Sequence, residues 1–235
     1  MVAGSERVKS AVRELAPSAD LAPYVDAYWC SDGLGATTVI PDGCADIVFD
    51  GVNATVVGTM TRPIHVQSSA GTFGIRFRPG RAALALGAPL TVVTDARVPL
   101  RDLTKRFATI EPEIDGVEAA LRSLFAEATP DRRVDAAVGL IVRTGGRASI
   151  DSVASAAGVS RQHLARAFAY HVGLTPKMFA RVIRFRRTLA LARKYPYGWA
   201  DLASQLGYFD QSHLIAEFRE FAGDTPVPFF RSRRE

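Results

Sequence analysis

The segments LARAFAYHVGLTPKMFAR (residues 164–181) and LIAEFREFAGDTPVPFFR (residues 214–231) decide the fold, because they are two copies of one pattern. At an offset of 50 residues they share seven identities, namely Leu164 and Leu214, Phe168 and Phe218, Gly173 and Gly223, Thr175 and Thr225, Pro176 and Pro226, Phe179 and Phe229, and Arg181 and Arg231. Chance does not produce such agreement over 18 positions. Two copies are too few for a solenoid, so the pattern indicates two similar helical units within one domain.

The residues of each copy predict one helix, the end of that helix and the start of a second helix. Leu164 and Phe168 are four residues apart and therefore share one helix face. Gly173 suits the left-handed residue that ends a helix. Thr175 then serves as N-cap, and Pro176 occupies the first turn, where its missing N–H costs nothing.

A short helix and a glycine-containing turn are predicted before each copy, which gives the helix-turn-helix unit twice. In both units a capping residue, Ser160 or Asp210, precedes the second helix. The predicted second helices are Ser160–His171 and Asp210–Phe221. The arginine-rich stretch Pro176–Lys194 lies between the units and predicts a helix about 28 Å long. Such a rod can hold two recognition helices about 34 Å apart, which is one turn of B-DNA.

The charge of the chain is divided unevenly, and this favours a nucleic-acid partner. Residues 1–130 carry 12 basic and 15 acidic side chains, whereas residues 131–235 carry 17 basic and 9 acidic ones. Attraction to phosphate needs local positive charge, which only the second half supplies. An arginine-rich solvated surface is the alternative explanation of the charge taken alone.

The first hundred residues have the composition of short strands separated by turn residues. The stretch Thr72–Arg78 alternates, with Phe73, Ile75 and Phe77 on one side. Other predicted strands are Val25–Cys30, Thr37–Ile40, Asp46–Phe49, Ala54–Val57 and Ile64–Val66, and an amphipathic helix is predicted at Ile114–Glu127. The predicted fold class is therefore α+β: a small β-barrel-like domain with helices (residues 1–110), a bridging helix and linker (111–130), and an all-α domain with two helix-turn-helix motifs joined by a long helix (131–235).

Composition excludes several classes of protein. The 235 residues are 48% hydrophobic and 23% charged, which is globular and ordinary for two domains. Cys30 and Cys44 are too few for a disulfide framework or a four-thiolate zinc site, and they have no ligand spacing with His65 or Asp46. We therefore expect free thiols, no metal and no cofactor. Because no secretion signal or membrane-spanning run is present, we expect a cytoplasmic, nucleoid-associated bacterial protein with no membrane partner.

Residues 149–231 resemble the DNA-binding domain of the AraC/XylS family of bacterial transcription regulators. The resemblance lies in GVSRQHLARAFAYHVGLTPKMF (158–179) and LASQLGYFDQSHLIAEFREFAGDTPVPFFR (202–231), which match the two family signatures. A weaker resemblance to the sensor domains of some such regulators lies in IPDGCADIVFDG (40–51) and GIRFRPG (74–80). The resemblance implies a β-barrel that senses a small-molecule effector, mediates dimerisation, or does both.

The resemblance and helical spacing together assign candidate DNA contacts. Gln162 and Arg166 lie on the outer face of the first recognition helix, where the family sends such residues to base edges, and glutamine suits adenine while arginine suits guanine. Ser160 and Arg161 are expected to contact phosphate. Ala216 occupies the position equivalent to Arg166, so the first motif is expected to dominate readout. The outward candidates of the second helix are Gln211, Ser212 and His213.

The N-terminal half offers a candidate effector pocket, although its aromatic residues are explained more simply as the core of the β-rich domain. The candidates are Tyr28, Trp29, Phe73, Phe77 and Arg76. We expect a sequence-specific DNA-binding transcription regulator, activator or repressor and not an enzyme, with double-stranded DNA, an effector, RNA polymerase and a second copy of the chain as possible partners. The alternatives are a DNA-repair alkyl-transfer enzyme, which needs a nucleophilic cysteine, and a non-specific architectural binder.

Overall fold

The computed structural model describes residues 12–32, 35–51, 53–68, 71–107, 113–194 and 198–231. Strands occupy the first part of the chain and helices the last, so the α+β class is confirmed. The strands are β1 Val12–Leu15, β2 Val25–Ser31, β3 Gly35–Val39, β4 Ala45–Phe49, β5 Ala54–Val57, β6 Ile64–Ser68, β7 Thr72–Phe77 and β8 Arg97–Pro99. The helices are α1 Ala82–Leu86, α2 Leu100–Leu103, α3 Ile114–Ala126, α4 Arg132–Arg143, α5 Ile150–Ala156, α6 Arg161–Val172, α7 Pro176–Lys194, α8 Trp199–Leu206, α9 Gln211–Ala222 and α10 Pro226–Arg231, with a 3₁₀ turn at Leu90–Val92.

The N-terminal sheet is antiparallel, with the strand order β1-β2-β7-β4-β5-β8. Strands β3 and β6 form a separate two-stranded ribbon. Within the described ranges β1 and β8 are the free edges of the six-stranded sheet, and no pairing between them closes a ring. The barrel-like part is thus an open sheet accompanied by a ribbon.

The alternation predicted for β7 is confirmed and fixes the core of this half. Ile75 and Phe77 are fully buried, and Phe73 packs against the same core. Helix α3 belongs to this core as well, because its apolar residues Val117 and Leu121 are buried there. The predicted boundary between residues 110 and 111 falls outside the described residues.

The helical half is built around α7, as the sequence predicts. The side chains of Thr175, Ser160 and Asp210 each accept a backbone N–H three residues ahead, so the three predicted N-caps are confirmed. Gly173 and Gly223 are left-handed, with φ values of 79° and 80°, and end α6 and α9 as predicted. Phe168 packs against Phe179 below the first unit, and Phe218 packs against Phe229 below the second.

The N-terminal half is docked on the end of α6. The Thr59 hydroxyl donates to the carbonyl of Val172 at 2.9 Å, and the Thr94 hydroxyl donates to the carbonyl of Gly173 at 2.7 Å. Arg81 forms an ion pair of 2.7 Å with Asp135 of α4. The two threonine contacts satisfy carbonyls at the C-terminal end of α6 that would otherwise lack these partners.

Candidate nucleic-acid interface

The outer face of α6 is a free polar surface. Leu164 and Phe168 are fully buried, so the helix is anchored by its inner face. Gln162 and Arg166 are exposed one turn apart, as predicted. Arg166 makes no hydrogen bond or ion pair with another residue of the described ranges, so its five N–H donors are available to a ligand.

The first turn of α6 is held by local contacts. The Ser160 hydroxyl accepts the N–H of His163 at 3.2 Å, so this side chain is used as the helix cap. Arg161 pairs with Asp151 of α5, and both side chains are exposed. The His163 ring lies 2.8 Å from a guanidinium nitrogen of Arg133. Ser160 and Arg161 therefore lie at the helix start as expected, while Arg161 already has a carboxylate partner.

The corresponding face of α9 is less polar. Gln211 and Ser212 are exposed, and Ala216 presents only a methyl group where α6 has Arg166. The His213 ring accepts the N–H of Phe209 through Nδ1 at 3.3 Å. Its other nitrogen lies 3.7 Å from Glu217. Of the predicted contacts on this helix, His213 is thus engaged within the protein.

A buried carboxylate joins α9 to the long helix. Glu217 is 3% exposed and accepts hydrogen bonds of 2.7 Å from both Arg181 and Arg184. Arg181 also pairs with Glu220. Burial opposes the charged form of Arg181, but its hydrogen bonds to Glu220 and Glu217 raise the pKa of this guanidinium. That Glu217 and Glu220 hold two arginines of α7 is visible only in the structure.

The two recognition helices open onto one cleft of about 760 Å³. Arg161 lines it from the first turn of α6, and His213 lines it from the first turn of α9. Helix α7 contributes Lys177, Arg181 and Arg184 to the lining, and the acidic lining residues are Asp151 and Glu217. The first turns of both recognition helices therefore border one cleft, as expected of two helices that enter DNA grooves from the same side.

A family model described as a helix-turn-helix domain matches residues 153–232, which span α5 to α10. This segment is a helix-turn-helix DNA-binding domain of the AraC/XylS type. A second model, described as a domain of unknown function (DUF6597), matches residues 13–99. The AraC/XylS-type domain and the β-rich domain are thus separate family units in one chain.

Known proteins resemble parts of the chain. A stretch of 71 residues is 32% identical to the HTH-type transcriptional regulator MtrA of Neisseria gonorrhoeae, and covers 30% of this chain and 24% of that protein. The chain therefore spans about a quarter of the length of this curated relative. The DNA-binding domain of AdpA, solved in complex with a target DNA, is similar at 20% identity over 44% of this chain and 96% of that one, with a TM-score of 0.40. ToxT from Vibrio cholerae is similar at 12% identity over 94% and 97%, with a TM-score of 0.45.

The five candidate effector residues lie apart from the AraC/XylS-type domain and on two sides of the sheet. Tyr28 and Phe77 are fully enclosed in the N-terminal core, with Phe73 at its margin. Trp29 and Arg76 lie on the opposite face, where the indole ring covers Gly74. The structure does not bring the five residues together around one cavity.

The face with Trp29 and Arg76 carries a buried polar network that sequence reasoning did not find. The Trp29 indole donates to Asp46 at 3.1 Å, and Arg76 lies 3.6 Å from the same carboxylate. Burial raises the pKa of Asp46 to about 7, although Arg76 opposes this shift. Asp42 adds a second carboxylate 3.5 Å from Arg76.

The environment of Cys44 disfavours a nucleophilic thiol. Cys30 and Cys44 are both free, and burial raises the pKa of the Cys44 thiol well above its usual value. A raised pKa disfavours the thiolate, which is the reactive form. Within the described ranges no three histidine, cysteine or carboxylate side chains cluster as a metal site would require. No described helix is long and apolar enough to cross a membrane.

Proposed function

We propose that this protein is a sequence-specific DNA-binding transcription regulator that reads the major groove with α6 and α9. The observation that carries the proposal is the shared cleft, which is lined by Arg161 from the first turn of α6, His213 from the first turn of α9 and Lys177 of α7. The excess of basic over acidic residues in positions 131–235 supports phosphate attraction on this side.

The first motif dominates hydrogen-bonded readout in this proposal. Arg166 is exposed and without an internal partner in the described structure, so it can donate two hydrogen bonds to guanine O6 and N7. Gln162 can pair with adenine from the neighbouring turn. In α9 the equivalent of Arg166 is Ala216, and the arginines beneath it are bound to Glu217. Gln211, Ser212 and His213 contribute contacts of lower discrimination.

The test begins with selection of bound duplexes from a random pool by the full chain. Arg166→Ala is expected to cost about 1–3 kcal/mol of discrimination at one base pair, and Ala216→Leu much less. Arg186→Ala is the matched control, because Arg186 is an exposed arginine of α7. Equal effects of Arg166→Ala and Ala216→Leu would reject the ranking, and a specificity ratio near one against random duplex would favour an architectural binder.

The N-terminal domain is proposed to modulate DNA binding in response to a small-molecule effector. Support comes from its direct hydrogen bonds to the end of α6 through Thr59 and Thr94. The accessible candidate contacts are Trp29, Phe73 and Arg76, since Tyr28 and Phe77 are enclosed. Repeating the selection with candidate effectors and following Trp29 fluorescence tests this part. RNA polymerase, and a second copy of the chain, are the protein partners that such a regulator would use.

A further inference from the structure

The two helix-turn-helix motifs differ in the turn by one residue. In the first motif the left-handed glycine is Gly158, with a φ of 67°, and one residue separates it from the cap Ser160. In the second motif the left-handed glycine is Gly207, with a φ of 75°, and two residues separate it from the cap Asp210. The second turn therefore holds one more residue between its glycine and its recognition helix.

The residue that directly follows the glycine has the same position in both turns. The N–H of Val159 bonds to the carbonyl of Ala154 at 3.1 Å, and the N–H of Tyr208 bonds to that of Ala203 at 3.0 Å. Both side chains then pack inward, Val159 against the first core and Tyr208 in the second at 5% exposure. This is the hydrophobic contact that usually follows a glycine stop.

Phe209 is the additional residue of the second turn. Tyr208 occupies the inward position and bonds to the Thr188 hydroxyl at 3.0 Å, so no room remains there for a second ring. Phe209 is consequently 91% exposed, the highest value among the exposed large apolar residues in the described ranges. Its backbone N–H is held by His213, so the side chain leaves the turn from a fixed point directly before α9.

A single exposed apolar residue is common on protein surfaces, so its position decides what it can do. Residues at the N-terminal end of a recognition helix meet the base edges of the major groove. Asp210, the next residue, is used as the cap of α9, and the exposed Gln211 and Ser212 after it are uncharged. Arg181 and Arg184 are bound to carboxylates. Among the groups that base pairs present in that groove, the apolar one is the C5 methyl of thymine.

We propose that Phe209 selects thymine in the half-site of the second motif by packing its ring on the C5 methyl group. The inference rests on the proposed DNA-binding function. It assigns to the second motif an apolar readout that complements the hydrogen-bonded readout of Arg166 in the first.

The experiment uses the full chain and the duplex obtained by selection, in which each thymine of the second half-site is replaced in turn by uracil. Uracil keeps the pairing and the hydrogen-bonding groups of thymine and lacks only the methyl. We expect the affinity of the unaltered protein to fall about fourfold at one or two positions, the equivalent of one buried methyl group. Phe209→Ala should bind the thymine duplex about as weakly and show no further loss on uracil.

Controls separate this readout from general effects. Val92→Ala removes another exposed apolar side chain, from the N-terminal domain, and should keep the full sensitivity to uracil. Phe209→Leu should recover part of it. Because Phe209 is exposed, the thermal unfolding midpoint of Phe209→Ala should equal that of the unaltered protein.

Four outcomes would overturn the inference or its basis. A selected second half-site without a preferred thymine, or equal affinity of the unaltered protein for thymine and uracil duplexes, would overturn the inference while specific binding stands. An undiminished uracil effect in Phe209→Ala would assign the methyl contact to another residue. Failure of the unaltered protein to select any sequence would instead refute the proposed function itself.

Discussion

Replacing Glu217 by alanine tests whether the buried carboxylate holds the second motif on the long helix. The side chain accepts two charged hydrogen bonds of 2.7 Å, and a hydrogen bond to a charged group contributes about 1.5–3 kcal/mol. After its loss Arg181 keeps Glu220, whereas Arg184, whose side chain is 14% exposed, keeps no carboxylate among the described residues. Removing one partner of a buried ion pair costs about 3–5 kcal/mol, and the remaining Glu220 contact places the expected loss near the lower end, about 3 kcal/mol.

The measurement is thermal unfolding followed by circular dichroism at neutral pH. For a chain of this length about 3 kcal/mol corresponds to a fall of about 6–12 °C in the midpoint. Glu220→Ala is the matched control, because Glu220 is 45% exposed and its ion pair contributes about 1 kcal/mol or less. Exchanging Glu217 and Arg184 together for leucine should recover part of the loss. A fall for Glu217→Ala no larger than that for Glu220→Ala would refute the reasoning.

Three further predictions concern stability. Burial raises the pKa of Asp46 to about 7 from the 3.8 of the unfolded chain, so the carboxyl binds its proton more tightly in the folded protein, and its contribution to stability is full below pH 4 and is lost as the pH rises towards 7. Urea titrations from pH 4 to 8 should show that the free energy of unfolding declines by at most about 4 kcal/mol. Asp46→Asn should remove this decline, and an identical decline in that variant would contradict the assignment. Because Ser160 is an N-cap, Ser160→Ala should lower the free energy of unfolding by about 1 kcal/mol and Ser160→Gly by a few tenths of a kcal/mol, as measured by urea unfolding. Equal losses in the two variants would argue against capping. Thr59→Val keeps the shape of the side chain but leaves the buried carbonyl of Val172 without this donor, so the free energy of unfolding should fall by about 1–3 kcal/mol. An unchanged unfolding curve would contradict this expectation.

The duplicated half of the fold could be predicted closely from the sequence because its signals are local. Helix caps, glycine stops and the Leu–Phe spacing act within a few residues, and the predicted bounds of α7, Pro176–Lys194, agree with the structure. Strand β7 was equally predictable from its alternation. Edge strands β1 and β8 were not predicted, because they are only four and three residues long and depend on pairing with distant partners.

Of the candidate site, only the residues on the exposed helix face could be predicted from the sequence. Gln162 and Arg166 follow from helical spacing, since outward residues are simply those not needed by the core. The burial of Glu217 against two arginines depends on how α9 lies on α7, which no local pattern encodes. The exposure of Phe209 depends on the one-residue shift of a glycine, which is visible in the sequence only when the two motifs are compared position by position.

The hydroxyl contacts of Thr59 and Thr94 make α6 mechanically different from α9. Both threonines donate hydrogen bonds to backbone carbonyls at the C-terminal end of α6, so a displacement of their loops would be transmitted directly to that helix. The N-terminal half also meets the second unit, where Ile40 packs against the core that contains Phe218 and Phe221 of α9, but within the described residues this contact is apolar. A rearrangement of the N-terminal half would therefore reach α6 through directional hydrogen bonds and α9 through side-chain packing.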